Sequence, residues 1–144
     1  MFVSDIMTDQ VISIDEDEPV TAAARLMKQY NFGSIPVRDG RGKLKGILTD
    51  RDIVIRCVAS DESPEDIKVS EIMSRNLVTI ASSEDADKAA QVMAKSQIRR
   101  IPVTDNGMLV GIVALGDIAR NSNYEMEAAE ALSEISSTFR RRLK

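Results

Sequence analysis

The chain of 144 residues contains no histidine, no tryptophan and a single cysteine, and only 3% of its residues are aromatic. It therefore lacks the usual ligands of zinc and of redox-active metals, and the base of a Ser-His or Cys-His catalytic pair. Cys57 has no partner for an intramolecular disulfide, and its apolar neighbours predict a thiol packed in a core. We expect no metal site and no catalytic residues.

Long hydrophobic runs and an excess of positive charge are also absent. No stretch of about 18 apolar residues occurs without a charge, and no basic segment followed by an apolar run opens the chain. The net charge of −4 and the shortage of aromatics argue against nucleic-acid binding. We expect a soluble, cytoplasmic protein with no membrane or nucleic-acid partner. A basic cluster at the C-terminus either complements a helix dipole or contacts an acidic partner: Arg140, Arg141, Arg142 and Lys144.

A repeat organises most of the chain. The segment Val3–Met7 recurs 66 positions later as Val69–Met73, and the Ile-Pro-Val of residues 35–37 recurs at 101–103. Two copies predict a closed pair rather than an extended solenoid. The sequence divides into motif 1 (residues 1–58), a polar linker (59–68), motif 2 (69–120) and a C-terminal helical extension (121–144).

Each copy predicts the order strand, helix, strand, strand, helix. The extended segments Val11–Ile14 and Leu77–Ile80 precede helix starts, marked by the acidic run before Pro19 and by Ser82 with Asp85 at capping-box spacing. The first helix of copy one has apolar residues at helical spacing: Val20, Ala23, Ala24, Met27 and Tyr30.

Turn residues at 39–42 and 105–107 then predict two hairpins. The last helix begins near Thr49 in copy one and near Ala114 in copy two, and we expect the copy-one helix to have an inner face of Ile53, Val54, Cys57 and Val58. The C-terminal extension carries an apolar stripe that docks on the chain's own core or on a second copy of the protein: Ala128, Leu132, Ile135 and Phe139.

The order of elements, the Ile-Met opening, the Ile-Pro-Val strand and the Gly-Ile-Leu-Thr-Asp-Arg-Asp-Ile stretch at residues 46–53 resemble the cystathionine-β-synthase (CBS) domain family. Two motifs in tandem resemble its Bateman module, here as a stand-alone member. The resemblance implies a mixed α+β fold in which two pseudo-symmetric motifs pack through their sheets. It also implies two clefts that bind AMP, ADP, ATP or S-adenosylmethionine as regulatory ligand, with no required cofactor, and association into a homodimer.

The copies differ at the start of the last helix and at the two residues before the Ile-Pro-Val strand. Thr49-Asp50-Arg51-Asp52 matches the family pattern in which the aspartate accepts hydrogen bonds from ribose hydroxyls. The same four residues also form a capping box, which needs no ligand. Copy two keeps Asp117, with alanine at the cap. Gly33-Ser34 is replaced by Arg99-Arg100, which either binds phosphate or is a solvated basic pair.

The family's crossed arrangement implies the lining of two unequal sites. Site one comprises Asp117, Arg99, Arg100, Ile101, Pro102, Ala114, Gly116, Thr8, Val11 and Ile12. Site two comprises Thr49, Arg51, Asp52, Ser34, Ile35, Pro36, Ser74, Leu77 and Val78. For each apolar member, packing in the core is the competing interpretation.

The leading hypothesis is therefore a sensor of adenosine-containing nucleotides that relays binding to a protein partner by a conformational change. The alternative is a constitutive dimerisation or scaffold module without ligand. An enzyme is the least favoured class, because the sequence places no nucleophile with a base and no metal cluster.

Overall fold

The computed structural model describes residues 1–120, 129 and 131–135. They form two compact units. Unit 1 contains Met1–Val11, Val78–Asn106 and the described residues from Val110 onward, and unit 2 contains Ile12–Leu77 and Gly107–Leu109. The opening segment of each repeat therefore belongs to the unit formed by most of the other repeat.

Unit 2 is built on a three-stranded sheet. Strand β1 (Ile14–Asp15) pairs in parallel with β2 (Ser34–Arg38), and β2 pairs antiparallel with β3 (Leu44–Thr49). The β2–β3 pair confirms the hairpin predicted from the turn residues at 39–42, where Gly42 has a φ of +92°. The apolar residues of β2, and Leu48 of β3, are fully buried in the core of this unit.

Two helices of unit 2 pack against that sheet. Helix α1 (Val3–Ile6) belongs to unit 1, whereas α2 (Val20–Tyr30) and α4 (Val69–Ile72) belong to unit 2. The predicted stripe of α2 is partly confirmed, because Val20, Ala23 and Met27 are buried, whereas Tyr30 is 42% exposed. The segment predicted as a linker also packs on unit 2, where Ile67 is buried and its carbonyl accepts a hydrogen bond from the Val20 N–H.

The last helix of copy one departs from the predicted geometry. A single turn, α3 (Asp50–Asp52), continues as a π-helix over Ile53–Val58. Because a π-helix bonds residue i to i+5, its wider turn rotates side chains away from α-helical positions. Cys57 is fully buried, as predicted, but Val54 and Val58 are 57% and 60% exposed. Their assignment to the inner face was therefore wrong.

Unit 1 has a two-stranded sheet instead of three strands, because in the segment Leu77–Ile80, predicted as extended, only Ile80 forms a β-bridge, with Val103. Helix α5 (Ala86–Ser96) precedes the hairpin of β4 (Arg100–Asp105) and β5 (Met108–Ala114), and α6 (Leu115–Ala119) follows. The first two residues of β5 are grouped with unit 2. The mixed α+β prediction is confirmed.

Ser82 does not cap α5, contrary to the prediction. Asp85 is the N-cap residue, and its carboxylate accepts the N–H of Asp87. The hydroxyl of Ser82 instead donates to Asp105 Oδ2 at 2.6 Å, and its N–H donates to Oδ1. These bonds, that of the hydroxyl above all, hold the pKa of Asp105 below its ordinary value.

The equivalent aspartate of unit 2 is bonded differently. Asp39 Oδ1 accepts the backbone N–H groups of Lys43 and Arg41 within the hairpin turn. The bond from Lys43 is the main cause of the lowered pKa of Asp39. Equivalent turns thus stabilise the same charged residue through a side chain in one unit and through the backbone in the other.

The described part of the C-terminal extension is helical and belongs to unit 1. Ala131 is fully buried in the unit 1 core, whereas Leu132 is 43% exposed. Ala128 and Phe139 of the predicted stripe, and the basic cluster 140–144, lie outside the described residues. Among the described helices, none combines the length and apolarity needed to cross a bilayer.

Candidate functional site

The aspartate of site one is held by the backbone at the start of α6. Asp117 Oδ2 accepts a hydrogen bond from the N–H of Ala114 at 2.8 Å. Alanine has no hydroxyl that could accept the N–H of Asp117 in turn. The second carboxylate oxygen, Oδ1, lies 3.4 Å from Nη1 of Arg120. The side chain of Asp117 is only 14% exposed, whereas that of Arg120 is 81% exposed. One oxygen is therefore committed to the fold, and the other faces an exposed cation.

Arg99 is fixed against the same helix start through its backbone. Its carbonyl accepts the N–H of Leu115 at 2.8 Å, which ties the residues before β4 to the beginning of α6. The side chains of Arg99 and Arg100 are exposed. The sequence placed these two arginines near Asp117, and the structure brings them to one side of unit 1.

Thr8 reaches the same unit because β5 contains a glycine. The backbones of Thr8 and Ile112 exchange two hydrogen bonds, at 2.8 and 2.9 Å. A Cβ on Gly111 would lie 2.5 Å from the Met7 sulfur and 3.0 Å from the Thr8 carbonyl oxygen. Only glycine lets the Met-Thr segment approach so closely.

A cavity of about 570 Å³ opens beside these residues in unit 1. It brings together four predicted residues of site one, which are Arg99, Arg100, Ala114 and Gly116. Sequence reasoning missed the rest of its lining: Leu115, Ala119, Arg120, Ala129 and Leu132. For Arg120 a signal existed, because it lies one helical turn after Gly116.

The other predicted members of site one, including Asp117 and Thr8, lie outside this lining. Ile101 is fully buried in the hydrophobic core of unit 1, and Pro102 is also buried. Val11 is half-buried at the end of the first segment of unit 1, whereas Ile12 is grouped with unit 2. For Ile101, the structure favours the core-packing interpretation.

Site two, in unit 2, has the reciprocal cap that site one lacks. Thr49 Oγ1 accepts the N–H of Asp52 at 3.0 Å, and Asp52 Oδ2 accepts the N–H of Thr49 at 2.9 Å. Arg56 Nε lies 4.0 Å from Asp52 Oδ1. The Gly33 carbonyl accepts the Asp50 N–H, as Arg99 does for Leu115.

The remaining residues of site two mostly share unit 2. Ser34 pairs with Thr49 across β2 and β3, and Ser74 exchanges backbone hydrogen bonds with Ile47. Ile35 and Pro36 are buried, Leu77 is half-buried and Arg51 is exposed. Val78 is grouped with unit 1.

The electrostatics of site one are positive. Among the described residues of its lining, Arg99, Arg100 and Arg120 contribute guanidiniums and none contributes an acidic side chain. Across the described residues, no group of three or more Cys, Asp or Glu side chains is arranged to hold a metal ion. The arrangement suits an anionic ligand that also carries hydroxyl groups for Asp117.

Comparison with known proteins identifies relatives along most of the chain. The CBS domain model matches residues 3–59 and 69–124. The CBS domain-containing protein YhcV of Bacillus subtilis is 46% identical over 134 residues, which are 93% of this chain and 94% of the relative.

Two solved structures share the fold. Hypoxic Response Protein I, with two coordinated zinc ions, has a TM-score of 0.75 at 35% identity, over 83% of this chain and 98% of that one. The CBS domain pair of MJ0100, in complex with 5′-methylthioadenosine and S-adenosyl-L-methionine, has a TM-score of 0.69 at 33% identity, over 83% and 94%.

Proposed function

Because this chain belongs to the CBS domain family and carries two CBS domains in tandem, we propose that it is a regulatory module that binds an adenosine-containing ligand at site one. The observation that carries the proposal is the cavity of unit 1, which is lined by three arginines. One of them, Arg120, also contacts the Asp117 carboxylate. A carboxylate accepts hydrogen bonds from ribose hydroxyls, and guanidiniums bind phosphate oxygens through charge-assisted bonds.

The ligands bound by a relative and the positive charge of site one support this class of ligand. The MJ0100 pair, 33% identical, binds two adenosine compounds that carry no phosphate. Site one adds the guanidiniums of Arg99 and Arg100, where copy one has Gly33 and Ser34. We therefore expect AMP, ADP or ATP to bind site one more tightly than S-adenosylmethionine. The zinc of Hypoxic Response Protein I does not enter this proposal, because this chain has no histidine and its one cysteine is buried.

Site two is proposed as the weaker site. Its aspartate has the same backbone partner, but the arginine beside it, Arg56, also donates to the carbonyls of Ile72 and Met73. A guanidinium bonded to the backbone in this way is less available to a ligand. Site two therefore provides a ribose acceptor with fewer cations for phosphate.

Regulation requires that the ligand bind two states of the protein with different affinity. We propose that the chain acts without catalysis, as a homodimer, and that a protein partner responds to the change between these states. Two CBS domains account for nearly all of the described chain, which supports a binding role.

The test is isothermal titration calorimetry of the ligand-free protein with AMP, ADP, ATP and S-adenosylmethionine. Asp117→Ala and Asp52→Ala form a matched pair, since each removes one backbone cap and one arginine partner. We expect Asp117→Ala to abolish the tighter binding and Asp52→Ala to retain it. If the parent protein binds none of the four compounds, the proposal is wrong.

A second candidate function rests on the π-helix. Its apolar side chains Val54, Ile55 and Val58 are 57%, 46% and 60% exposed, and such a patch favours a protein contact. A constitutive scaffold would use this surface without any ligand. Thermal unfolding separates the two candidates, because a ligand of the native state raises the midpoint with its concentration, whereas a scaffold gives no shift.

A further inference from the structure

The two copies place an arginine at different positions in the helix that contains the aligned aspartate. Counting from the aligned aspartates, copy one has Arg51 and Ile55 where copy two has Gly116 and Arg120. A Cβ on Gly116 would lie 3.7 Å from Nη2 of Arg120, which is ordinary van der Waals contact. The guanidinium of Arg120 thus covers the position where the side chain of Arg51 begins in copy one. Copy two therefore has no arginine at the position of Arg51, and Arg120 occupies the space beside it.

The surroundings of Arg120 differ from those of Arg56, the arginine that faces the aspartate in unit 2. Arg56 donates to the Ile72 and Met73 carbonyls at the end of α4, in addition to its contact with Asp52. Arg120 instead lines the cavity of site one together with two other arginines. Arg56 therefore serves the fold, whereas Arg120 faces the space assigned to the ligand.

The pair between Arg120 and Asp117 is suited to exchange partners. Its nitrogen and oxygen are 3.4 Å apart, and the arginine side chain is 81% exposed. An exposed ion pair contributes little to stability, so its loss costs little. A phosphate offers a larger charge and bidentate acceptors to the same guanidinium. Release of Arg120 would also free Asp117 Oδ1 to accept a hydrogen bond.

On the basis of the proposed function, we propose that Arg120 determines the ligand specificity of site one. In the empty site it neutralises Asp117, and in the occupied site it binds a phosphate of the ligand while Asp117 Oδ1 accepts a ribose hydroxyl. The exchange links the two parts of the ligand. A phosphorylated nucleoside gains a cation and an unmasked acceptor together, whereas a nucleoside without phosphate must compete with Arg120 for Asp117.

The experiment compares ADP with adenosine by isothermal titration calorimetry, in the parent protein and in Arg120→Gln. We expect Arg120→Gln to weaken ADP binding on the order of tenfold, because one charge-assisted hydrogen bond is lost. Adenosine binding should stay unchanged or become tighter, because its competitor for Asp117 is gone. Arg120→Lys should recover part of the affinity for ADP, and added salt should weaken ADP binding less in Arg120→Gln than in the parent protein.

Arg25→Gln is the control, since it removes an exposed arginine of α2 that belongs to neither site. It should leave the tighter ADP binding unchanged. Equal losses for ADP and adenosine in Arg120→Gln would show that Arg120 only positions Asp117 and would overturn this inference. Unchanged binding of both ligands would overturn it as well, with the proposed function intact. If the parent protein binds neither ADP nor adenosine, this inference fails, and the proposed function fails with it only if AMP, ATP and S-adenosylmethionine do not bind either.

Discussion

Units 1 and 2 hold the same aspartate in the same way and surround it with different charges. In both, a carboxylate oxygen accepts the backbone N–H three residues earlier, at 2.8 Å for Asp117 and 2.9 Å for Asp52. In unit 1 three arginines line the cavity, whereas in unit 2 the positions equivalent to Arg99 and Arg100 hold Gly33 and Ser34. The same aspartate can therefore cap a helix in both units, while the charges around it differ between them.

The largest expected effect comes from giving site one the residues of its counterpart. Arg99→Gly with Arg100→Ser removes two guanidiniums from the cavity. If each supplies one charge-assisted hydrogen bond, ADP affinity should fall about 100-fold, or about 2.7 kcal/mol. Calorimetry measures the loss, and thermal unfolding checks that the variant folds. A loss shared equally by adenosine would contradict a phosphate-binding role for the pair.

The close approaches at Gly111 and Gly46 provide the second comparison. A Cβ on Gly46 would lie 2.6 Å from the Met73 sulfur and 2.7 Å from the Ser74 carbonyl oxygen. We expect Gly46→Ala to destabilise the protein by about 1–3 kcal/mol in urea unfolding, because the backbone must shift. Gly111→Ala should cost less, because the Thr8 carbonyl oxygen is farther away, at 3.0 Å.

A double-mutant cycle sharpens that comparison. In a Met7→Ala background, the flexible sulfur nearest to Gly111 is removed, so most of the cost of Gly111→Ala should disappear. In a Met73→Ala background, Gly46→Ala should remain costly, since the Ser74 carbonyl oxygen belongs to the backbone. Equal rescue in both units would show that the two approaches are equivalent.

The hydroxyl of the cap is the third difference between the units. Thr49→Ala removes the bond from the Asp52 N–H and should cost about 1 kcal/mol, whereas Ala114→Thr should stabilise unit 1 by up to a similar amount. Chemical denaturation measures both variants. If Ala114→Thr stabilises nothing while Thr49→Ala is destabilising, the start of α6 cannot use a hydroxyl.

The smallest expected effect concerns the hairpin aspartates. Ser82→Ala should raise the pKa of Asp105 toward its ordinary value, because the main donor is lost. A lowered native pKa stabilises the fold above the ordinary pKa of the carboxyl, and this contribution is lost as the pH falls through the native value. The destabilisation by Ser82→Ala should therefore be present at neutral pH and fade in acid.

Asp39 is an internal control for that titration. Its lowered pKa depends mainly on the Lys43 backbone N–H, which Ser82→Ala leaves in place. Carboxyl-carbon NMR should show a shifted titration for Asp105 and an unchanged one for Asp39. A parallel change at both residues would mean that the substitution acts through general unfolding.

The sequence predicted the hairpins and the first helix of each copy because their signals are local. Turn residues and short apolar runs specify a hairpin within about ten residues, and the periodicity of Val20, Ala23 and Met27 specifies a buried face. The repeat added specificity, since two copies predicted the same order. It also led to the prediction that Asp117, Arg99 and Arg100 belong to one ligand site, which stays a prediction.

Other features depend on contacts that no local pattern records. The π-helix arises within a segment whose apolar residues fit an α-helix, so Val54 and Val58 were assigned to the wrong face. Ser82 has the spacing of a cap but bonds Asp105, which is distant in sequence. The wall formed by Ala129 and Leu132 was missed because tertiary packing brings the C-terminal extension to the cavity.

The exchange of opening segments has a consequence for how such a chain could originate. In each unit a strand glycine contacts a segment of the other repeat: Gly111 contacts Met7 and Thr8, and Gly46 contacts Met73 and Ser74. A single repeat would therefore lack part of its own structure. Two separate copies could supply the missing parts reciprocally, as in a domain-swapped dimer. Gene fusion of such a dimer would give a chain in which each half completes the other, as the two repeats do here.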